Sequence, residues 1–557
     1  MGKLTDDKFS TYFLQLKSGY CNNTKMQEHG YITSEGFLVP DQLLKAKFGE
    51  GYAALIKKLT LTHYPKIGPP KSAKLYKYKD RDGTRYIYLP RTLSRVLGKI
   101  IPSVVALGNI VRIRDCPMQI ELFENQQIVV AELMKIFSPD RIAAGTACAI
   151  LNLRAGMGKT FVAAMLISML KLRTLYITPK VPLAVQAVLD LKNCFYGDVD
   201  GGNQGNNGPN DNNAVGGNAV YGNAVGGNVM AGKNIIVGNY NKKPKKRDMT
   251  TDPGKQDVTV ICIDSAILRD SDFFSKYSFI IFDEVHTYCS DVRRKIFKLA
   301  GSWVMLGMSA TTEDRADGFD GIAHKELAYD GIIRAENLPG FNYEGVDFKS
   351  LVTVIRYNGP PEYTQTLISE STGRMFTPYM NKQFLRDPFR TSIALAELRA
   401  LYDWRGPEGQ CHCIYVFCEE VDPLEIIYRG FIDSFGEGNV VAPEIGKFTG
   451  GIKEQQIVNM RANARIFLTT YGYSGTGVSI DKMTAILFLT PRRANMKQIL
   501  ARILRRGGDQ SIQRRVIDIV DNRTGMKYQL GSRKLAYEYY GMEIESKTIQ
   551  AQHMQDE

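Results

Sequence analysis

Two short stretches of this sequence combine residue types that handle phosphate. Gly156-Met157-Gly158-Lys159-Thr160 lies between an apolar run, Ala147 to Leu153, and a second one, Phe161 to Leu170. The first run reads as a buried strand and the second as a buried helix. Small residues between them let backbone N–H groups turn inward on phosphate oxygens, and the helix start adds its positive dipole end. In such a loop Lys159 reaches the β- and γ-phosphates of a nucleotide, the Thr160 hydroxyl sits on Mg²⁺, and Gly156, Met157 and Gly158 supply the cradle. The general pattern has glycine where this chain has Leu153. The second stretch is Asp283-Glu284-Val285-His286, directly after Phe279-Ile280-Ile281-Phe282. An apolar strand ending in two acids is what a nucleotide hydrolase needs: Asp283 to hold Mg²⁺, Glu284 to orient and deprotonate the attacking water. His286 has no second histidine at ligand spacing, so it does not read as a metal ligand.

The elements that must position these groups follow from the hydrophobic pattern. Val130, Leu133, Met134 and Phe137 recur as one face of a helix that begins after Leu122-Phe123-Glu124-Asn125-Gln126. Thr174 to Ile177 reads as a strand ending at Thr178-Pro179-Lys180, Val258 to Ile263 as another, and Trp303 to Leu306 as a third ending at Ser309-Ala310-Thr311. Strands alternating with helices predict a parallel sheet with its ligand loops at the strand C-termini.

The chain has 557 residues, enough for three or four domains at ~150 residues each. A net charge of +13 favours an anionic partner, with nucleic acid foremost. The nine cysteines show no paired ligand spacing. Cys411, Cys413 and Cys418 around His412 read as core side chains of a strand rather than as a zinc site. Together with the absence of a run of 18 apolar residues, this points to a reduced, intracellular protein that does not span a membrane.

Residues 1–112 carry no catalytic motif and read as a hairpin-rich accessory domain. Its aromatics interleave with basic residues from His63-Tyr64 to Tyr76-Lys77-Tyr78-Lys79 and through Arg85-Tyr86-Ile87-Tyr88, a composition able to stack bases and hold phosphates. Residues 197–256 are rich in Gly and Asn, with a degenerate five-residue repeat, and read as a disordered surface insertion ending in the basic run Lys242 to Arg247.

In this order and setting, the Gly156–Thr160 loop, Asp283–His286 and Ser309-Ala310-Thr311 resemble the superfamily 2 helicases with a DExH box. The family tolerates variation in the first position of the loop, where Leu153 stands. The resemblance implies a second RecA-like domain, and the C-terminal half supplies its motifs. Strands Leu351–Ile355 and Ile414–Phe417 are followed by Ile466-Phe467-Leu468, which delivers Thr469-Thr470-Tyr471-Gly472-Tyr473-Ser474-Gly475-Thr476-Gly477, similar to motif V. Gln498-Ile499-Leu500-Ala501-Arg502-Ile503-Leu504-Arg505 is similar to motif VI, with Ala501 in place of a glycine. The form of motif V and the ending Val516 to Asp521 resemble one group in particular, the DNA helicases of phages and large DNA viruses, including branch-migration and transcript-release helicases.

The resemblance implies two tandem RecA-like α/β domains, 113–335 and 345–525, with 526–557 as a C-terminal extension. It implies an ATP-hydrolysing helicase or translocase using ATP and Mg²⁺. Arg502 and Arg505 become arginine fingers, Gln126 an adenine reader, and Ser309, Thr311, His286 and Gln498 coupling residues. Thr178, Pro179, Lys180, Thr469 and Thr470 become grips on the nucleic-acid backbone, with DNA favoured over RNA. A double-strand translocase, a remodelling motor without processive unwinding, and an RNA helicase are the alternatives. The setting implied is transcription or replication, in host cytoplasm or nucleus or within a virion.

Overall fold

The computed structural model describes residues 28–64, 69–81, 83–154, 156–196, 236–239, 256–312, 318–328, 331–342, 348–370, 373–435, 444–450, 452, 454–474, 480, 482–505 and 509–551. The chain divides into two units, one ending at Asn342 and the other beginning at Tyr343, apart from a short segment of the Gly/Asn-rich region. Most of that region, its basic run, and Gly475 to Ser479 lie outside the described residues.

The first unit opens with a five-stranded sheet built from β1 (Gly30–Thr33), β2 (Gly36–Pro40), β3 (Lys77–Arg81), β4 (Thr84–Leu89) and β5 (Ser103–Val105), in the order β3-β4-β2-β1-β5. β3 and β4 pair antiparallel, with Arg81 opposite Thr84. This sheet is not a separate lobe. Ile32, Phe37, Val39, Ile87 and Leu89 share one core with Ile150, Ile177, Ile261 and Phe282 of the following domain. The buried Arg91 guanidinium fastens the junction, donating to the Thr33 carbonyl at 2.8 Å and to the Ser302 carbonyl. Tyr86 and Tyr88, two of the tyrosines read as base-stacking candidates, are 5% and 4% exposed and so are closed to bases. Tyr78 is covered by the Arg85 guanidinium 4.3 Å from its ring centre.

The nucleotide-site domain is a seven-stranded sheet of β6 (Ala147–Asn152), β7 (Thr174–Thr178), β8 (Val237–Asn239), β9 (Val258–Cys262), β10 (Phe279–Asp283), β11 (Val304–Ser309) and β12 (Ile332–Arg334). The order is β8-β9-β7-β10-β11-β6-β12, and every pair is parallel. Buried on both faces, its central strands are continuous apolar runs. Helices α1 (Glu124–Ile136), α2 (Lys159–Leu170) and α3 (Val181–Tyr196) cover one face through Val129, Leu133, Leu166, Ala184 and Leu191. The edge strand β8 corrects the reading of 197–256 as wholly disordered: Val237 to Asn239 pair in register with Val258 to Val260.

The second unit repeats this plan. Its sheet comprises β13 (Ser350–Asn358), β14 (Ile414–Cys418), β15 (Ile445–Phe448), β16 (Ile466–Thr470), β17 (Ala485–Phe488), β18 (Arg514–Asp521) and β19 (Glu543–Gln550), in the order β15-β16-β14-β17-β18-β13-β19. Numbered from its own first strand, each seven-stranded sheet runs 3-4-2-5-6-1-7, so the two α/β domains share one topology as well as one class. Four helices matter below: α4 (Thr377–Arg386), α5 (Pro388–Asp403), α6 (Met496–Leu500) and α7 (Gln529–Tyr539). Residues 529–550, read as an extension, contribute α7 and the edge strand β19 to this domain.

Buried ion pairs lock these helices to the sheet. Arg390 of α5 grips Asp521 through two bonds of 2.8 and 3.2 Å, and Asp518 accepts from Arg533 and Tyr537 of α7 at 2.8 Å each. Removing one partner of such a pair leaves an uncompensated buried charge, so the pairs fix orientation more than they add net stability. His412 is buried, bonded to Thr484 Oγ1 at 3.0 Å and packed on Trp404.

Candidate nucleotide site

Three neighbouring strands, β10, β11 and β6, deliver the predicted groups to one edge of the first parallel sheet. β6 ends in Asn152, and the Leu153 N–H donates to the Ser309 carbonyl at 3.0 Å, which ties the loop to the end of β11. Leu153 itself is buried, so a glycine there would leave a hole in the core. The loop then turns through Gly156 (φ 85°) and Gly158 (φ 80°), both left-handed, and α2 begins at Lys159. Gly158 is required on two counts. A Cβ there would be strained and would stand 2.2 Å from Gln126 Nε2.

That crowding identifies what Gln126 does in the free protein. Its Oε1 accepts from the Phe123 N–H at 3.0 Å, closing the first turn of α1, while its Nε2 donates to the Met157 carbonyl at 3.2 Å. Gln126 therefore holds the phosphate loop against α1.

The Lys159 ammonium, at the start of α2, lies 2.8 Å from Glu284 Oε1. Glu284 sits one residue past β10 with φ 49° and ψ 50°, a left-handed conformation that costs a non-glycine residue about 1–3 kcal/mol and concentrates at working sites. Its carbonyl accepts from both the N–H and the hydroxyl of Thr287 at 2.9 Å, which holds the turn. On its other side, Oε2 lies 3.6 Å from His286 Nδ1 and 3.4 Å from Ser309 Oγ. Ser309 Oγ is the hub of this cluster, 2.7 Å from His286 Nδ1, donating to the Thr311 carbonyl at 2.9 Å and accepting from its N–H at 3.0 Å. The following Thr312 is held by Asn152 through a 3.0 Å bond to its hydroxyl and by His324 through a 2.9 Å contact to its carbonyl. Burial alone would raise the Glu284 carboxyl, but Lys159, His286 and the Ser309 hydroxyl together hold it below its ordinary value. At Asp283 burial, then repulsion from Glu284, outweigh the Lys159 charge and push the carboxyl up to about 7.

Tyr176 is a site residue that the sequence did not disclose. It is buried on β7, facing Asp283 and the Thr160 hydroxyl; burial and then the Asp283 charge keep its phenol protonated well above its ordinary value. In the sequence it is one apolar residue of a strand among several, so no spacing marks it.

Thr178, Pro179 and Lys180 end β7, next to β10 on the same edge. The Thr178 hydroxyl donates to the Lys180 carbonyl at 3.2 Å, and burial, then Arg293, lower the Lys180 ammonium. Arg293 in turn is paired with Asp264 through two bonds of 3.0 and 2.9 Å.

In the second unit, strand alternation separates the two threonines of β16. Thr469 is fully buried and its hydroxyl donates to the Phe448 carbonyl at 2.6 Å. Thr470 is partly exposed and its Oγ1 accepts from the Tyr473 N–H at 3.3 Å. Gln498 lies on α6, partly exposed; Arg502 is 6% exposed just beyond that helix, and Arg505 is partly exposed. Arg514, which sequence reasoning passed over, fixes this stretch from below. Its buried guanidinium donates to the carbonyls of Ile503 (2.6 Å), Asp509 (2.7 Å) and Ile512 (2.6 Å), tying Ile503 to the residues that lead into β18.

A glycine-bearing phosphate loop, a strand-end acid pair and two parallel α/β sheets of one topology are the parts an ATP hydrolase needs, and their arrangement resembles that of the superfamily 2 helicases. Residues 119–314 match the family model described as "Type III restriction enzyme, res subunit". Along nearly its whole length the chain is similar to an African swine fever virus protein that carries the provisional name ATP-dependent RNA helicase. Against a Namibian warthog isolate the two are 28% identical over 532 residues, covering 92% of this chain and 91% of the viral protein. Against the Badajoz strain the identity is 28%, with 92% of each chain covered. Among solved structures, phage T4 UvsW (13% identity, 88% of this chain and 99% of that chain, TM-score 0.28) and S. cerevisiae Dbp5 bound to RNA and ADP BeF3 (13%, 77% and 94%, 0.43) are similar.

Proposed function

We propose that the chain is an ATP-driven translocase on single-stranded nucleic acid. The observation that carries this reading is the Lys159–Glu284 pair, 2.8 Å apart at the mouth of a phosphate loop. In the free protein each neutralises the other. A nucleotide's phosphates compete for Lys159, and Glu284, released from its counter-ion, becomes a stronger base for water held near the γ-phosphate. Gly156, Met157 and Gly158 cradle the phosphates, and Gln126 stands where the adenine would be read. Ser309, Thr311 and His286 sense the change at Glu284, and Arg502 and Arg505 serve as arginine fingers and Gln498 as a coupling residue, as the resemblance of their stretch to motif VI implies. Thr178-Pro179-Lys180 and Thr470 grip the backbone, with Thr469 acting from the core behind it.

The donor set suits Mg²⁺. Thr160 offers a hydroxyl, and Asp283 is a buried carboxylate whose raised pKa a divalent cation would relieve. Held there by Thr160 and Asp283, Mg²⁺ would supply positive charge against the negative charge that develops on the phosphates during transfer. Asp283 must be ionised to ligate. Below about 7 nucleotide binding with Mg²⁺ therefore has to remove a proton, and its affinity should fall about tenfold per pH unit in that range. Titration with a fluorescent ATP analogue checks this: Asp283→Asn should abolish the slope, and a flat wild-type profile from pH 5.5 to 7 would contradict it.

Two substrate readings stand beside each other. The form of the motif V stretch resembles the phage and viral DNA helicases and supports DNA, in transcription or replication within an infected cell. The name of the African swine fever virus relatives favours RNA. Steady-state ATP hydrolysis with single-stranded DNA, double-stranded DNA and RNA at one salt concentration separates them. A larger response to single-stranded DNA supports the first reading, and a larger response to RNA overturns it. No helix among the described residues is long and apolar enough to cross a membrane.

A further inference from the structure

Between β13 and α5 the second domain carries a feature that the nucleotide site does not use. Ile368 and Met375 bridge across a tight hairpin, closed by the Ser369 N–H to the Arg374 carbonyl at 2.8 Å, and α4 follows. Met380 and Phe384 of α4 pack on Met526, and the Gly525 N–H donates to Thr366 Oγ1 at 3.0 Å. The hairpin, α4 and the turn after β18 are thus one packed unit. It stands where β13 and β18 end, the same C-terminal edge at which β16 delivers Thr470. β18 and β16 are three strand spacings apart, ~14 Å.

With Met380, Asn381 and Phe384 facing inward, Tyr379, Lys382 and Arg386, at i, i+3 and i+7, form the outward face of α4. Phe376 stands against Tyr379 with the ring planes 15° apart and centroids 6.3 Å apart. The Phe376 backbone is anchored by its N–H to the Leu367 carbonyl at 2.8 Å. Even so, Phe376 is 49% and Tyr379 45% exposed. Two large rings fixed nearly parallel and left half in water form a flat π-surface. Along the same helix Thr377–Arg386 there are two cations and no carboxylate, with exposed Arg374 and Lys527 alongside and Glu370 as the acid of the hairpin.

We propose that Phe376 and Tyr379 are a base-stacking platform for single-stranded nucleic acid, with Lys382 and Arg386 on its phosphates. Rings meet every base through its π-face, and positive charges track the backbone, so binding here is sequence-tolerant. The inference deepens the translocase reading and rests on it: it adds a base contact to grips that otherwise touch phosphate.

The test uses the full chain and two fluorescein-labelled oligomers of equal length, an oligothymidylate and an abasic strand, followed by anisotropy. Phe376→Ala and Tyr379→Ala should each weaken oligothymidylate binding about tenfold, in the range of single stacking contacts, and leave the abasic strand unchanged. Lys382→Gln and Arg386→Gln should weaken both strands and lower the salt slope by about one each. Tyr379→Trp should keep affinity and place an indole whose emission oligothymidylate quenches, a readout that survives if an alanine variant folds poorly. Wild-type binding that neither alanine variant alters, with no quenching in Tyr379→Trp, overturns the platform. A wild-type chain that binds neither strand overturns the translocase reading itself.

Discussion

Glu284→Gln is expected to bind ATP as the wild type does and to lose nucleic-acid-stimulated hydrolysis by about 10²–10⁴-fold, the usual contribution of a positioned general base. The amide keeps the volume and one acceptor oxygen, so the left-handed turn held by Thr287 should survive. What it loses is the charge that pairs with Lys159 at 2.8 Å and the ability to take a proton from water. Freed from that pair, Lys159 should hold nucleotide at least as tightly as before. Single-turnover hydrolysis beside fluorescent-nucleotide binding separates the two effects. Undiminished turnover would remove Glu284 from the chemistry, and loss of binding would show that it serves the loop instead.

Arg505→Ala is expected to cost about 10³–10⁵ in turnover, the range for an arginine finger in phosphate-loop enzymes, with little change in nucleotide affinity. Arg505 is partly exposed and its removal should leave the fold intact. Arg502 is 6% exposed, so Arg502→Ala should also lower the unfolding midpoint. Arg505→Lys is an informative companion. It keeps the charge but not the planar fork that meets phosphate oxygens in pairs, and should recover only a small part of the rate. A turnover number for Arg505→Ala within threefold of wild type would contradict the assignment.

The central strands of both sheets were legible because each is buried on two faces and reads as an unbroken apolar run. The edges were not. β19, Glu-Ile-Glu-Ser-Lys-Thr-Ile-Gln, is almost wholly exposed, with Glu543, Glu545 and Lys547 on one face and its two isoleucines on opposite faces, so it looks like a tail. β8 is three residues inside a Gly/Asn-rich segment. The N-terminal sheet looked like an accessory domain because the contacts that fuse it to the core, Arg91 to Thr33 and Ser302, join residues far apart in sequence.

At the site, the loop and acid pair were legible from residue type and spacing, since phosphate chemistry needs those groups after those strands. Whether Thr469 or Thr470 faces outward was not, because a one-residue shift reverses the face and both neighbours are threonine. Tyr176 and Arg514 were invisible for a related reason. One is a strand residue among apolar neighbours, the other a basic residue in a basic stretch, and only tertiary contact distinguishes them.

The central claim is that hydrolysis at Lys159 and Glu284 is driven by nucleic acid bound elsewhere on the chain. Its most direct test is the steady-state ATPase rate of the wild-type chain at fixed salt, with and without saturating single-stranded DNA, double-stranded DNA or RNA. A rise of about tenfold or more with at least one polymer, abolished in Glu284→Gln, is the result expected. A rate that none of the three polymers changes would contradict the account.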